Sequence, residues 1–169
     1  TGLVNWQRAV KSDAELAMMR KAGQLTAHMH TTLRDNFKPG TPKHELVAKV
    51  QAAGVSGLPG LAGDYPAIAP IAPSGLEASA SHITWNDRPL TPGEATYFEV
   101  SGCFHRYHCP ASRTLFLGEP SADIRGAEKA VLRAIEDAFA TARPGVTCEE
   151  VAACVYESFA RSGYSKENR

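Results

Sequence analysis

The chain has 169 residues, the size of one ordinary domain, with 43% hydrophobic and 21% charged side chains. Its 18 lysines and arginines balance 18 aspartates and glutamates, so no long-range field draws it to phosphate, which argues against nucleic acid and anionic membrane as partners. Trp6, Gln7, Arg8 and Lys11 interrupt any apolar run before membrane length, so no signal peptide is read there and the cytoplasm is the expected compartment.

The first expected helix opens at Ser12-Asp13, with Glu15 three places after Ser12 in the arrangement of a capping box. Leu16, Met19, Gly23, Met29 and Leu33 give it one apolar stripe that ends near Phe37, before Lys38-Pro39-Gly40. Thr41 is the expected cap of a second helix, Pro42 suits its first turn, and Leu46, Val47 and Val50 form its buried side. Residues 65–74 are rich in proline and alanine, yet Ile68 and Ile71 suggest extended structure beside a buried surface.

From Ala95 the pattern turns to β, because Thr96, Phe98 and Val100 alternate with Tyr97 and Glu99. Ser101-Gly102 reads as a turn or bulge, with a return strand over 114–117. A long helix then begins at Ser121 and runs through Ala127, Val131, Ile135 and Phe139 to Arg143-Pro144-Gly145, and another spans 147–161. Four cysteines, Cys103, Cys109, Cys148 and Cys154, form no Cys-x-x-Cys pair and are expected as reduced thiols.

The segment from Phe37 to Val47 matches that from Ala142 to Ala152 at a constant offset of 105. Arg20/Arg125, Ala22/Ala127, Glu45/Glu150 and Val50/Val155 hold the same register. The pattern is that of an internal repeat in which the first copy is followed by strands and the second is not. A fragment is therefore expected, whose remaining sheet lies in residues not present here and whose exposed sheet edge needs covering.

Reactive side chains concentrate between His82 and Arg113. Glu99 sits in a strand whose neighbours bury one face, and a carboxylate there needs a partner or a function. His105 and His108 are three apart, so on a strand they point to opposite faces and make a poor zinc pair. Cys109 beside His108 is more readily a small buried thiol than a nucleophile. His82, in the loop Ser79-Ala80-Ser81-His82-Ile83-Thr84-Trp85, gains meaning if the strand bearing Glu99 returns beside it, because an imidazole and a carboxylate then face one cleft.

At these residues the sequence resembles the creatinase/prolidase family, the pita-bread, Xaa-Pro aminopeptidase-like enzymes. The carriers are Arg8-Ala9-Val10-Lys11-Ser12-Asp13-Ala14-Glu15-Leu16 with Met19-Arg20-Lys21-Ala22, then Lys38-Pro39-Gly40-Thr41, Ser74-Gly75, the loop of His82, Leu90-Thr91-Pro92-Gly93-Glu94 and Ser112-Arg113-Thr114. The resemblance covers nearly the whole chain. It implies an α+β fold, the first part of a pita-bread domain, with two helix pairs on a curved, mainly antiparallel sheet. It also implies that residues 1–169 are an incomplete catalytic domain, lacking an N-terminal domain and a second catalytic half. A homodimer is the assembly implied for the intact protein.

The metallopeptidase branch of that family carries two aspartates eleven residues apart on this hairpin, both binding a pair of divalent ions. The matching positions are Glu99 and Pro110, and proline has no donor atom, so a two-metal site of that type is not expected. The metal-free branch that includes creatinase is the better match. Within it, Asn5-Trp6-Gln7-Arg8-Ala9, Gly63-Asp64-Tyr65-Pro66-Ala67-Ile68, His82-Ile83-Thr84-Trp85 and Arg106-Tyr107-His108-Cys109-Pro110 look most like ectoine hydrolases, which open a cyclic amidine by water to give an acetylated diaminobutyrate.

The implied roles are Glu99 as electrostatic anchor or nucleophile, His82 as proton shuttle, and Tyr107, His108 and Arg113 as groups orienting a small cationic amidine or guanidine. Arg113 serves equally as partner of a buried carboxylate. No cofactor is expected, and the fragment alone is expected to be inactive. A metal-dependent Xaa-Pro aminopeptidase or dipeptidase and a catalytically inactive binding module of the same fold are the alternatives.

Overall fold

The computed structural model describes residues 2–165, and the chain divides into two compact units on either side of Glu119 and Pro120. The first unit opens with the exposed helix α1 (Leu3–Ala9). Helix α2 (Asp13–Asn36) begins at Ser12 with the anticipated capping box: Ser12 Oγ accepts from the Glu15 amide at 3.3 Å and Glu15 Oε2 accepts from the Ser12 amide at 2.7 Å. The buried stripe of α2 is Ala22, Leu25, Thr26, Met29 and Leu33, whereas Leu16, Met19 and Gly23, expected on it, are half-buried. Close approach to the sheet explains the shift, because small residues fill the contact and hydrophobicity alone does not mark them.

Helix α3 (Lys43–Ser56) buries Leu46, Val47 and Val50 as expected. Thr41 does not cap it; Pro42 holds the N-cap position and no side chain bonds there. The backbone of 41–43 pairs instead with that of 88–90, through Leu90 N–H to Thr41 O at 2.9 Å and Lys43 N–H to Arg88 O at 3.1 Å. These bonds anchor the helix start and leave Thr41 no capping task.

Strands β1 (Ala95–Phe104) and β2 (Tyr107–Phe116) form an antiparallel hairpin in register Ala95 with Phe116 through Phe104 with Tyr107. The chain does not turn at Ser101-Gly102, and the return strand is much longer than 114–117. The turn is His105-Arg106, both with positive φ (48° and 67°), the two-residue conformation whose twist matches a hairpin. Gly102 has another purpose: a Cβ there would lie 2.4 Å from Ala22 O and 2.7 Å from Thr26 N, so it lets α2 press against the strand. Thr26, nearly fully buried, stitches this contact by accepting from Gly102 N–H at 2.8 Å and donating to Cys109 O at 2.6 Å.

On the other edge of β1, the backbone bridges Ile71 with Glu99 and Ser74 with Thr96, so β1 is central and Ile71 is buried as expected, whereas Ile68 sits in a bend and is exposed. Met29 and Leu33 of α2, Leu46, Val47 and Val50 of α3, and Phe98 and Val100 of β1 share one core with Ala72, Leu90 and Leu117. Phe37 meets Phe98 edge to face at 5.8 Å.

In the second unit, α4 (Ala122–Thr141) starts at Ser121 and α5 (Cys148–Arg161) at Thr147, each capped by its hydroxyl. Ala130, Ala134 and Ser158 are buried, and Arg161 pairs with Asp137 at 2.6 Å. The offset of 105 holds in three dimensions at the level of each helix pair. Asn36 and Thr141 end the first helices, Lys43 and Cys148 start the second, and Ser56 and Arg161 end them. Gly40 and Gly145 both take positive φ in the joints. The four cysteines are free, and among the described residues no helix is long and apolar enough to cross a membrane.

Candidate active site

Side chains alternate along a strand, and residues directly opposite on an antiparallel partner share a face. Phe98, Val100 and Gly102 of β1 face α2 and the core, as do their partners Arg113, Ala111 and Cys109. Tyr97, Glu99, Ser101 and Cys103 therefore share the other face with Thr114, Ser112, Pro110 and His108. Glu99 is half-buried there, its backbone bonded to Ile71 by 3.0 and 3.1 Å bonds.

His82 is exposed and lies in a loop in left-handed conformation (φ 60°). The Tyr97 hydroxyl, on the face of Glu99, donates to Ala80 O at 3.4 Å and brings that loop to the same side of the sheet. His108 is on this face too. Its Nε2 accepts from the Ala67 amide at 3.0 Å and its Nδ1 lies 3.0 Å from Arg106 O. An amide can only donate and a carbonyl only accept, so the ring is the neutral Nδ1–H tautomer.

The other two candidates lie elsewhere. Tyr107 faces α2 and donates to Glu15 Oε1 at 3.0 Å, a bond that raises its pKa. The amide and hydroxyl of Ser12, with Tyr107, hold the Glu15 carboxyl below its usual range. Arg113, opposite Phe98, is exposed and donates to Ser112 O at 2.7 Å. It adds to the depression of the His30 pKa, which is mainly due to burial. The hairpin thus puts Glu99, His108 and the loop of His82 on one side of the sheet, with His108 opposite Cys103, four residues along β1 from Glu99, and turns Tyr107 and Arg113 to the other side.

The two-metal arrangement expected of peptidase relatives does not fit the side chains of this face. Pro110 has no donor and both nitrogens of His108 are engaged by backbone. Among the described residues, no three or more His, Cys, Asp and Glu side chains come together as a metal site.

An ion-pair network at the base of the His82 loop escaped the reading of the residues. Lys43 is 1% exposed, and its Nζ lies 2.6 Å from Glu77 Oε2 in the 3-10 helix Gly75–Ser79. Glu77 Oε1 accepts from Asn86 Nδ2 at 2.8 Å and Arg88 Nη1 at 3.2 Å. Chiefly through Lys43, and against the desolvation of its site, the Glu77 carboxyl is pulled from 4.5 down to about 2. One signal was present: Lys43 precedes Leu46, Val47 and Val50 at helical spacing and so sits on the buried stripe of α3.

The profile of Metallopeptidase family M24 matches residues 17–169, and the chain belongs to that family. Ectoine hydrolase of Halomonas elongata is 40% identical over 169 residues, covering 97% of this chain and 42% of that protein. The probable dipeptidase PepE of Mycobacterium tuberculosis is 28% identical, covering 98% and 43%. Prolidase from Pyrococcus furiosus superposes with a TM-score of 0.87 at 22% identity, over 96% of this chain and 47% of that one. The chain therefore has the α+β architecture of the first part of a pita-bread fold, as the resemblance implied, and spans less than half the length of the curated relatives it matches.

Proposed function

We propose that the whole protein to which this chain belongs is a metal-independent hydrolase of a non-peptide C–N bond in a small cationic amidine, with ectoine as substrate. The family and the 40% identity to an ectoine hydrolase support hydrolysis and that substrate class. The observation that carries the metal-free reading is Pro110, which pairs with Ser101 and so lies diagonally across from Glu99 on the candidate face, where a second carboxylate is needed to bridge two ions.

In this reading Glu99 is the anionic anchor of the amidinium, a charge-assisted contact that orients the electrophilic carbon. His82 takes a proton from the attacking water as the water oxygen bonds to that carbon. It returns the proton to the ring nitrogen as the C–N bond breaks, and the hydroxyl proton left on the former amidine carbon passes to the departing amine, so the water oxygen ends as the acetyl carbonyl and the nitrogen leaves as an ammonium. His108, with both ring nitrogens taken by the backbone of Ala67 and Arg106, shapes the same side of the sheet without a hydrogen bond to spare for substrate. Tyr107 and Arg113 bear on substrate through the structure of the hairpin. Further substrate contacts come from sequence outside this chain, the chain alone is inactive, and the working enzyme is a cytoplasmic homodimer.

The test is ectoine turnover by the intact protein and its variants. His82→Ala and Glu99→Ala each lower kcat by on the order of 10²-fold or more, and the double variant falls little below the worse single one. Full turnover in either single variant contradicts the assignment.

A further inference from the structure

A catalytic histidine on a loop is only as useful as the loop's placement, and a displacement of about 1 Å can cost on the order of 10² in rate. His82 has no regular secondary structure around it: it is exposed, in a left-handed conformation, between the 3-10 helix that ends at Ser79 and the bridge at Pro89. Ser81 and His82 form a short turn, and among the described residues Ala80 ties it to its surroundings, by its amide to Glu77 O at 3.1 Å and by its carbonyl to Tyr97.

Both ends of the loop nevertheless converge on one carboxylate. Glu77 precedes His82 by five residues and Asn86 follows it by four, and the Asn86 amide donates to Glu77 Oε1 at 2.8 Å. The other carboxylate oxygen is held at 2.6 Å by the ammonium of Lys43 and at 3.3 Å by the Ser74 amide. Lys43 is fully inside the protein on a helix of the core, so this oxygen has a fixed reference. Trp85 adds an apolar anchor on the exit side, packed against the core cluster. The loop is thus a closed ring, shut by the Asn86–Glu77 bond and bolted to α3 by Lys43.

We propose that Glu77, Asn86 and Lys43 are positioning residues for His82: Lys43 fixes Glu77, and Glu77 closes the loop through Asn86 so that the imidazole is presented on the face of Glu99. The proposal rests on the reading of His82 as the proton carrier. A cation sealed in the core is a costly way to secure a surface loop unless the placement of that loop matters. Arg88, 45% exposed on its side chain, also reaches Glu77 at 3.2 Å, but solvent screens it and it adds little to the closure.

Asn86→Ala in the intact protein is the informative variant, because it opens the ring while leaving the Lys43–Glu77 pair whole and the fold intact. Expected are a drop in kcat for ectoine of about tenfold or more, a KM within about twofold of wild type, and no further loss when Asn86→Ala is added to His82→Ala. An unchanged kcat, or a loss that persists in full in the His82→Ala background, overturns the proposal. The crystal structure of the Asn86→Ala protein decides the positioning part independently of turnover. His82 displaced by about 1 Å or more supports it, and His82 retained within about 0.5 Å overturns it. Should the wild-type protein leave ectoine untouched, the proposed substrate fails, while that crystal structure still decides whether the ring positions His82.

Discussion

Tyr97 and Ala80 are joined by a hydroxyl-to-carbonyl hydrogen bond of 3.4 Å, which ties the loop carrying His82 to the strand carrying Glu99. Tyr97 is two residues from Glu99 on the same face, and Ala80 two residues from His82. The bond is long and near solvent, so it contributes at most about 1 kcal/mol. Tyr97→Phe is expected to lower kcat by about fivefold or less and to leave the thermal midpoint nearly unchanged, as steady-state kinetics and calorimetry on the intact protein will read out. A loss as large as that of His82→Ala would give Tyr97 a direct chemical role.

The contact between α2 and the hairpin is set by a missing side chain. Gly102→Ala places a methyl group against backbone atoms of Ala22 and Thr26 that cannot move without shifting the helix. It is expected to cost about 1–3 kcal/mol or more, the range of overpacked cores. Thr26→Val keeps the shape but strands the buried Gly102 N–H, at a cost of about 1–3 kcal/mol. Urea unfolding checks both, and wild-type midpoints would contradict the packing described for β1.

Acid should loosen the base of the His82 loop within a definite window. The Glu77 carboxyl titrates at about 2 in the folded protein against an ordinary 4.5, so the unfolded chain binds the proton first on acidification. The stability from this group is therefore fully present above pH 4.5 and is lost as pH falls toward 2, with a slope up to about 1.4 kcal/mol per pH unit. In Glu77→Gln that part of the slope disappears, which urea titrations between pH 5 and pH 2 measure. Removing the carboxylate altogether leaves Lys43 buried and uncompensated, and Glu77→Ala is expected to cost about 3–5 kcal/mol.

Much of the fold could be read from local pattern. Ser12 with Glu15, Ser121 and Thr147 announce helix starts because capping is a contact within one turn, and the 105-residue repeat marks equivalent helix ends to the residue. What misled was glycine. Gly102 looks like a turn because its freedom of φ is visible in sequence, while the helix that demands its small size lies 76 residues away. The real turn, His105-Arg106, carries neither glycine nor asparagine, and its left-handed residues are held by tertiary bonds from Arg106 to Asp64 and Tyr65.

For the candidate site, the alternation of β1 gave the face of Glu99, but the partners of β2 depended on register. Tyr107 and Arg113 entered as site residues through the resemblance, which carries no strand register, and the hairpin pairs them with Phe104 and Phe98, on the face opposite Glu99. The Lys43–Glu77 pair joins residues 34 apart, and only the lysine's position on an apolar stripe hinted at it.

The most direct test of the account is ectoine turnover by the intact protein after exhaustive chelation, with product identified by mass spectrometry and metal content measured on the same sample. The account predicts ring opening to an acetylated diaminobutyrate at an undiminished rate with no stoichiometric divalent ion. Failure to open ectoine, or activity lost on chelation and restored by manganese, cobalt or zinc together with dipeptide cleavage, would contradict it.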